Sequence, residues 1–311
     1  MINFDKCEKN LFRGYDGANG EKISIYYDSK IYMLKFPALN PETNEETTSS
    51  INEHVSCLIA KELGLNSQNT LLGKFNDKIV VACEDFEING FKLLNFTSVK
   101  NSLIDSKKLG RGLELDSILY TIENQKYVNK DELTTFFWDT FVLDSLIANG
   151  DRHNGNWGIL TNEQEKLCKI APIYDCGSSF HTHFNEKEMN NFICEGTKSI
   201  NNLVMGNPRS AIRINNKGIN YYNFLTQTDN KDCLKSIKKI SDKINLEKIN
   251  KIIDDIPCIS KTHKKFIQMV LKERKERILD KALELNKNIK LIKENIRTNK
   301  IKKTKERDFE R

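Results

Sequence analysis

Paired cysteines are what this chain most plainly lacks. Its eight cysteines fall at positions 7, 57, 83, 168, 176, 194, 233 and 258, and no two stand in a C-x2-C pair. Structural zinc held by closely spaced thiolates is therefore not expected, and reduced thiols in a cytosol-like compartment are. The first ten residues, MINFDKCEKN, mix charges and contain no apolar run, so no secretory leader is read there. Nowhere does the sequence approach the roughly 18 consecutive apolar residues of a membrane helix, and no internal repeat is visible. What is present suits a soluble globular protein. Its 311 residues, 38% hydrophobic and 30% charged, are enough for two packed units or one large bilobal domain.

The net charge of +6 is unevenly placed. Residues 261–311 hold 18 Lys or Arg against 8 Asp or Glu, a balance of +10, which leaves −4 for residues 1–260. A basic end on a mildly acidic body suits an acidic partner, an anionic surface or nucleic acid, and the plainer reading is a solvated helix face. Residues 298–311 are polar and charged and are expected to form a flexible tail.

Along the chain, ISIYYDSKIYMLKF at 23–36 reads as two strands flanking Asp28-Ser29-Lys30. A glycine-rich turn, Gly14 to Lys22, precedes them. Residues 40–63 carry helical signals: Asn40 as a cap, Pro41 in the first turn, an apolar stripe of Ile51, Val55, Leu58, Ile59 and Leu63, and Gly64 to end it. Thr70 to Phe75 and Lys78 to Ala82 read as a second hairpin turning at Asn76-Asp77. A polar, loop-rich stretch of roughly 45 residues then leads to a helix at about 131–148, beginning after Asn129 or Lys130. Trp157 to Leu160 and Leu167 to Ile173 read as a third hairpin. The last third reads as helical, with Leu271, Ile278, Ala282, Leu285, Ile289, Ile292 and Ile296 on one stripe.

The string Asn149-Gly150-Asp151-Arg152-His153-Asn154-Gly155-Asn156, followed by Asp175-Cys176-Gly177, carries the chemistry. Asp151 suits a base that takes the proton of an attacking hydroxyl, and Asn156 and Asp175 offer hard oxygens to Mg²⁺. Alone such a string is also ordinary turn composition. The third hairpin strengthens it, because pairing the two strands brings Asn156 and Asp175 side by side at their outer ends. Lys35 interrupts the apolar run Tyr32-Met33-Leu34-Lys35-Phe36, so an anion is expected to compensate it. Glu53 on the crossing helix is the expected carboxylate partner, with Glu45 and Glu46 as rivals. Ser50-Ile51-Asn52-Glu53 also fits a capping box, a reading that fails if the helix starts earlier. The connector Cys83-Glu84-Asp85-Phe86 is expected to offer backbone groups to adenine, near Glu84 and Phe86.

The order glycine turn, strand lysine, helix glutamate, connector, D-x4-N and Asp-x-Gly resembles the protein-kinase-like fold, and the motifs are similar to those of the HipA-like bacterial Ser/Thr kinases. Gly17-Ala18-Asn19-Gly20-Glu21-Lys22 resembles that family's G-A-Q-x-K-type loop. Asn52-Glu53 resembles its helix motif, Glu84-Asp85-Phe86 its connector and Asp151-Arg152-His153 its catalytic loop. By motif the resemblance covers about residues 10 to 180. It implies an α+β, bilobal fold. Residues 1–86 would form a small antiparallel-sheet lobe with one crossing helix, and 87–297 a larger, mainly helical lobe. It implies ATP and Mg²⁺ as cofactors and a protein substrate with Ser or Thr, the chain itself included. Asp151, Lys35 and Glu53 would be catalytic, with Gly17, Ala18, Asn19, Gly20, Lys22, Lys35, Glu84 and Phe86 on ATP and Asn156 and Asp175 on the metal. The length lacks the family's extra N-terminal subdomain and resembles its small secreted members, which implies export to host cells.

Some features depart from kinase patterns. Cys176 stands where many kinases have Phe or Leu, and no A-P-E triplet follows Gly177. Ser178, Ser179, Thr182, Thr197 and Ser199 are all candidates for phosphorylation. His153 reads as a hydrogen-bonder of the loop, and Arg152 as a partner for a carboxylate or a phosphate. The D-R-H-N-x-N string also resembles phosphoinositide kinases, which keeps a lipid acceptor as the alternative. A pseudokinase is a third reading, against which the complete set Lys35, Asp151, Asn156 and Asp175 argues. A nucleic-acid binder lacks any aromatic stacking pattern in its support.

Overall fold

Two-residue turns organise the first lobe of the computed structural model, which describes residues 1–15, 21–103, 110–195 and 200–287. Asp28 and Ser29 sit at φ +47° and +60°, and Asn76 and Asp77 at +48° and +62°, the left-handed pair whose twist suits tight hairpins. The first turn joins β2 (Lys22–Tyr27) to β3 (Lys30–Lys35) and the second joins β4 (Thr70–Phe75) to β5 (Lys78–Glu84). A short β1 (Ile2–Asn3) adds parallel to β4, and the sheet runs β1-β4-β5-β3-β2, antiparallel elsewhere. Strand alternation decides what each face buries. Tyr32, Leu34, Phe36, Val80 and Ala82 pack with Phe4, Ile25 and Phe75 on one side. Val81 and Cys83 face the other side, where α1 (Ser49–Glu62) lays Ile51, Val55 and Ile59. Lys35 lies between Leu34 and Phe36 and so projects on the α1 face.

The crossing helix starts later than its sequence suggests. Asn40 does not cap it: its Oδ1 accepts from Glu42 N (2.9 Å), an Asx turn, and Asn44 at φ +57° continues an irregular run. Turn and cap use the same side-chain chemistry, so Asn40-Pro41 read alone suits either. The cap position is Thr48, which places Glu53 past the first turn, and the capping-box reading fails because Ser50 is already inside the helix. Gly64, at φ +70°, ends α1 as expected.

The second lobe is richer in structure than the polar stretch after Phe86 suggests. It begins with β6 (Lys92–Asn95), α2 (Phe96–Leu103) and α3 (Leu115–Asn124), whose Leu115, Ile118 and Ile122 are buried at helical spacing. Helix α4 (Lys130–Leu146) is capped by Asn129, which accepts from Asp131 N and Glu132 N. Strand β7 (Gly158–Asn162) pairs with β6 and with β8 (Leu167–Ile170), forming the anticipated hairpin inside a three-stranded sheet. After α5 (Glu186–Glu195) and a π-helical turn at Asn202–Gly206 comes a hairpin absent from the helical reading, β9 (Arg209–Ile214) and β10 (Lys217–Asn220). It turns at Asn215 and Asn216, both at positive φ. Helices α6 (Tyr221–Gln227), α7 (Lys231–Lys243), α8 (Leu246–Asp254) and α9 (Lys261–Arg274) follow, and α9 runs into a π-helical stretch, Lys275–Asp280. Of the C-terminal stripe, Leu271, Ile278 and Ala282 are fully buried and Leu285 is half-buried. Ile289, Ile292, Ile296 and the basic tail lie outside the described residues. Among the described residues no helix is long and apolar enough to cross a membrane.

Candidate active site

Three elements converge between the lobes. Lys35, at the end of β3, sends its Nζ to Glu53 Oε2 (3.2 Å) on α1 and to Asp175 Oδ1 (2.9 Å) in the loop after β8. Glu53 is 1% exposed and Lys35 16%, so this is a largely dry pairing, whereas Asp175 is 46% exposed and opens to the cleft. Burial is the largest influence on Lys35 and works against its charge. The carboxylates of Asp175 and Glu53 outweigh it, so the ammonium titrates well above an ordinary lysine. Lys35 in turn holds the Asp175 carboxyl down to about 2. Neither rival takes this place: Glu46 pairs with Lys78 at the surface (3.0 Å) and Glu45 is exposed. Lys22 stands directly across the β2–β3 ladder from Lys35, so both side chains leave the same face, and its charge also lowers Asp175.

The loop carrying Asp151 is built around a buried guanidinium. Arg152 donates from Nε and Nη2 to Asp144 (3.0 and 3.1 Å), from Nη1 to the carbonyls of Asn156 (2.9 Å) and Tyr174, and from Nη2 to Cys176 Sγ (3.1 Å). One side chain thus holds the ends of the β7–β8 hairpin together, which brings positions 156 and 175 into one site as the strand pairing suggests. Asp144 also accepts from Asn149 Nδ2 (2.8 Å). Asp144 is a residue that the motif string does not reach, and Asn149, the first residue of that string, is its partner. The signal for Asp144 was a lone carboxylate inside the apolar run Phe141-Val142-Leu143-Asp144, eight residues ahead of Arg152. His153 Nδ1 accepts from Gly155 N (3.0 Å) within the loop. Gly150 is required by close approach, since a Cβ there would lie 2.9 Å from the Arg209 carbonyl and 3.0 Å from Pro208 Cβ.

Asp151 is half-buried. Its carboxyl is raised above the ordinary aspartate value, first by burial and then by Asp175, while His153 and Arg152 pull it back. Asn156 Nδ2 donates to the Asp151 carbonyl (3.0 Å), which turns the amide oxygen of Asn156 the other way. That oxygen and the second carboxylate oxygen of Asp175 are hard donors of the type that would hold Mg²⁺, an ion that takes one or two carboxylates, waters and substrate phosphates. Among the described residues no cage of three or more His, Cys, Asp or Glu side chains is gathered, and a magnesium held partly by phosphates needs none. Asp175 itself sits at φ +57°, a conformation held by the surrounding bonds.

The Glu84 side chain bonds Lys30 (3.0 Å) and Asn69 (3.0 Å), and its carbonyl accepts from Gln68 Nε2 (2.9 Å), so neither points into the cleft as a free group. Phe86 packs on Tyr174, with ring centroids 5.4 Å apart, beside the Asp175 loop. Gly17, Ala18, Asn19 and Gly20 lie outside the described residues, as do Thr197 and Ser199. Of the remaining hydroxyl candidates, Ser179 and Thr182 are buried and Ser178 is half-buried. The segment after Gly177 is laced to α1: Asn52 Nδ2 donates to Ser179 O (2.6 Å) and Thr48 N to Thr182 O (3.1 Å).

A small sheet with one crossing helix above a larger helical lobe, with strand lysine, helix glutamate and loop aspartate meeting between them, defines the bilobal protein-kinase-like class. The chain belongs to the family described as HipA-like C-terminal domain, which it matches over residues 17–258. It is 43% identical over 289 residues to Serine/threonine-protein kinase CtkA of Helicobacter pylori, covering 90% of this chain and 87% of that protein. A crystal structure of a Helicobacter pylori proinflammatory kinase CtkA superposes with a TM-score of 0.86 at 43% identity, over 90% of this chain and 96% of that one. A chain of the Shewanella oneidensis MR-1 toxin–antitoxin complex of HipA, HipB and operator DNA shares the fold at 15% identity. Its TM-score is 0.58, covering 89% of this chain and 69% of that one.

Proposed function

We propose that the protein is an ATP- and Mg²⁺-dependent serine/threonine protein kinase that also phosphorylates itself. The observation that carries this reading is Lys35 bridging Glu53 (3.2 Å) and Asp175 (2.9 Å), the pairing on which phosphate positioning in kinases depends. Lys35 and Lys22 would hold phosphate oxygens of ATP from the β2–β3 face. Asp151 would accept the proton of the incoming Ser or Thr hydroxyl as its oxygen bonds to the γ-phosphorus and ADP leaves. Its raised carboxyl makes it a better base than an ordinary aspartate at neutral pH. Asn156 and Asp175 would hold Mg²⁺, which when bound neutralises charge on the β- and γ-phosphates. Phe86 and Tyr174 offer an apolar wall to the base. The likeness to a protein kinase over nine-tenths of the chain favours a protein acceptor over a lipid.

The test uses purified protein, γ-labelled ATP and Mg²⁺, with Asp151→Ala and Asp175→Ala alongside. Label on the wild type and on an added Ser/Thr protein, lost in both variants, is the expected result. Label transferred to phosphoinositide vesicles but to no protein would favour the lipid enzyme, and nucleotide binding without any transfer would favour a pseudokinase.

A further inference from the structure

A second ionic cluster lies on the connector that follows β5, and its parts are far apart in sequence. Arg13 Nε donates to Asp85 Oδ2 (2.7 Å), and its Nη2 to Asp85 Oδ1 (3.4 Å) and to Glu87 Oε2. Tyr15 OH donates to Asp85 Oδ2 (2.8 Å), and the Arg13 guanidinium lies over the Tyr15 ring, 4.8 Å from its centroid. Asp85 is further tied by the Glu87 backbone N–H (2.8 Å), and its own N–H donates to Ile31 O (2.9 Å) on β3. Glu87 Oε1 accepts from Leu93 N at the β6 strand. The cluster therefore runs from the first lobe, through the connector, into the sheet whose β7–β8 hairpin carries Asn156 and Asp175 at its ends.

Its exposure sets it apart from an ordinary surface pair. The Asp85 side chain is 4% exposed, Glu87 14% and Arg13 24%, so these charges are only partly screened. Its position also matters. Phe86, between the two acids, is the residue that packs on Tyr174 beside Asp175. Arg13 and Tyr15 are the approach to the glycine-rich stretch, and Lys22, its exit, is fixed opposite Lys35.

We propose that Arg13, Tyr15, Asp85 and Glu87 form an interlobe clamp that sets the protein's affinity for its nucleotide. These are positioning residues: they hold the first lobe, the connector and β6 in one arrangement, and none of them is placed to meet the transferred phosphate. The inference rests on the kinase reading given above. Loosening the clamp weakens nucleotide binding in the ground state and the transition state alike, so it raises KM and leaves kcat nearly unchanged.

The experiment compares wild type, Arg13→Gln, Tyr15→Phe, Asp85→Asn and the Arg13→Gln/Asp85→Asn double variant. It measures Kd for ATP by calorimetry, KM and kcat for ATP, and the unfolding midpoint. Arg13→Gln is expected to raise Kd and KM about tenfold, with kcat within about twofold, as loss of a charged hydrogen-bond pair predicts. The double variant should lose less than the product of the two single effects, since both substitutions remove the shared Arg13–Asp85 pair while the Arg13–Glu87 and Tyr15–Asp85 contacts belong to one partner each. Tyr15→Phe keeps the ring and its stacking and should raise Kd by a smaller factor, which preserves a readout if an Asp85 variant folds poorly. Unchanged Kd and KM in folded Arg13→Gln and Tyr15→Phe overturns the clamp alone. A fall in kcat at constant KM also overturns it. A wild-type protein that binds no nucleotide would overturn the kinase reading together with the clamp.

Discussion

At the scale of single residues, two buried cations do different work. Lys35 is compensated by carboxylates from two elements, so its removal affects chemistry and charge together. Lys35→Met is expected to lower kcat/KM on the order of 10²-fold or more, the scale of losing a group aimed at transferring charge. The same variant makes a pH prediction. Lys35 depresses the Asp175 carboxyl to about 2, below its unfolded value near 4. That depression stabilises the fold at pH values above about 4 and is lost as pH falls from about 4 towards 2. Wild type and Lys35→Met should therefore differ in how steeply the urea midpoint falls across that window, wild type being the steeper; equal slopes count against the Lys35–Asp175 bond. Arg152 is instead structural glue. Asp144→Ala would leave its guanidinium buried without a counter-charge, at a cost of about 3–5 kcal/mol in urea unfolding. Asp242→Ala removes a pair with Lys238 in which both side chains are more than half exposed, and should cost under ~1 kcal/mol.

At the scale of elements, the lacing of α1 to the segment after Gly177 is the connection a sequence reading reaches least. Asn52 is fully buried and its Nδ2 serves both Ser179 O (2.6 Å) and Thr48 Oγ1 (3.0 Å). Asn52→Ala should cost about 1–3 kcal/mol by leaving the Ser179 carbonyl unpaired. It should also speed limited proteolysis after the exposed Lys187, while cleavage in the first lobe stays unchanged. Faster cleavage everywhere would point to global loosening instead. What was legible here, and what was not, follows the range of the forces involved. Asp28-Ser29 and Asn76-Asp77 declare their hairpins because backbone φ is a local property. The β7–β8 hairpin was legible for the same reason, and with it the meeting of Asn156 and Asp175. The start of α1 is not declared locally, because Asn40-Pro41 satisfies a turn and a cap equally well. Asn215-Asn216 declares a hairpin just as locally, yet it sits in a stretch whose neighbours are all helical. Arg13 and Asp85, 72 residues apart, left no local trace at all.

At the scale of the whole molecule, burial of histidine sets a pH limit on the fold that no active-site residue reveals. His54, on α1, bonds Thr70 Oγ1 (2.9 Å) across to β4. His181 packs against Phe184 and Phe266, and His263 lies in the first turn of α9. Burial lowers their pKa values to about 4, 3 and 4 respectively. Lys61 adds to the effect at His54 and Arg274 at His181, and Glu186 opposes it at His263. An unfolded histidine titrates near 6.5. Between about pH 6.5 and 4 the unfolded chain therefore binds protons that the native chain does not, so protons favour unfolding and stability rises with pH across that window. The urea midpoint should fall steadily from pH 7 to pH 5, a range in which ordinary carboxylates barely titrate. Replacing His181 and His263 by Gln should flatten that slope even if it lowers the midpoint at pH 7, because the absolute loss reports packing and the slope reports protons. A wild-type midpoint that stays constant from pH 7 to pH 5 would mean that these side chains reach solvent when charged. The two lobes would respond together, since His54 joins α1 to the first sheet, His181 lies within the segment that α1 holds in place, and His263 lies on α9, whose Phe266 packs against His181.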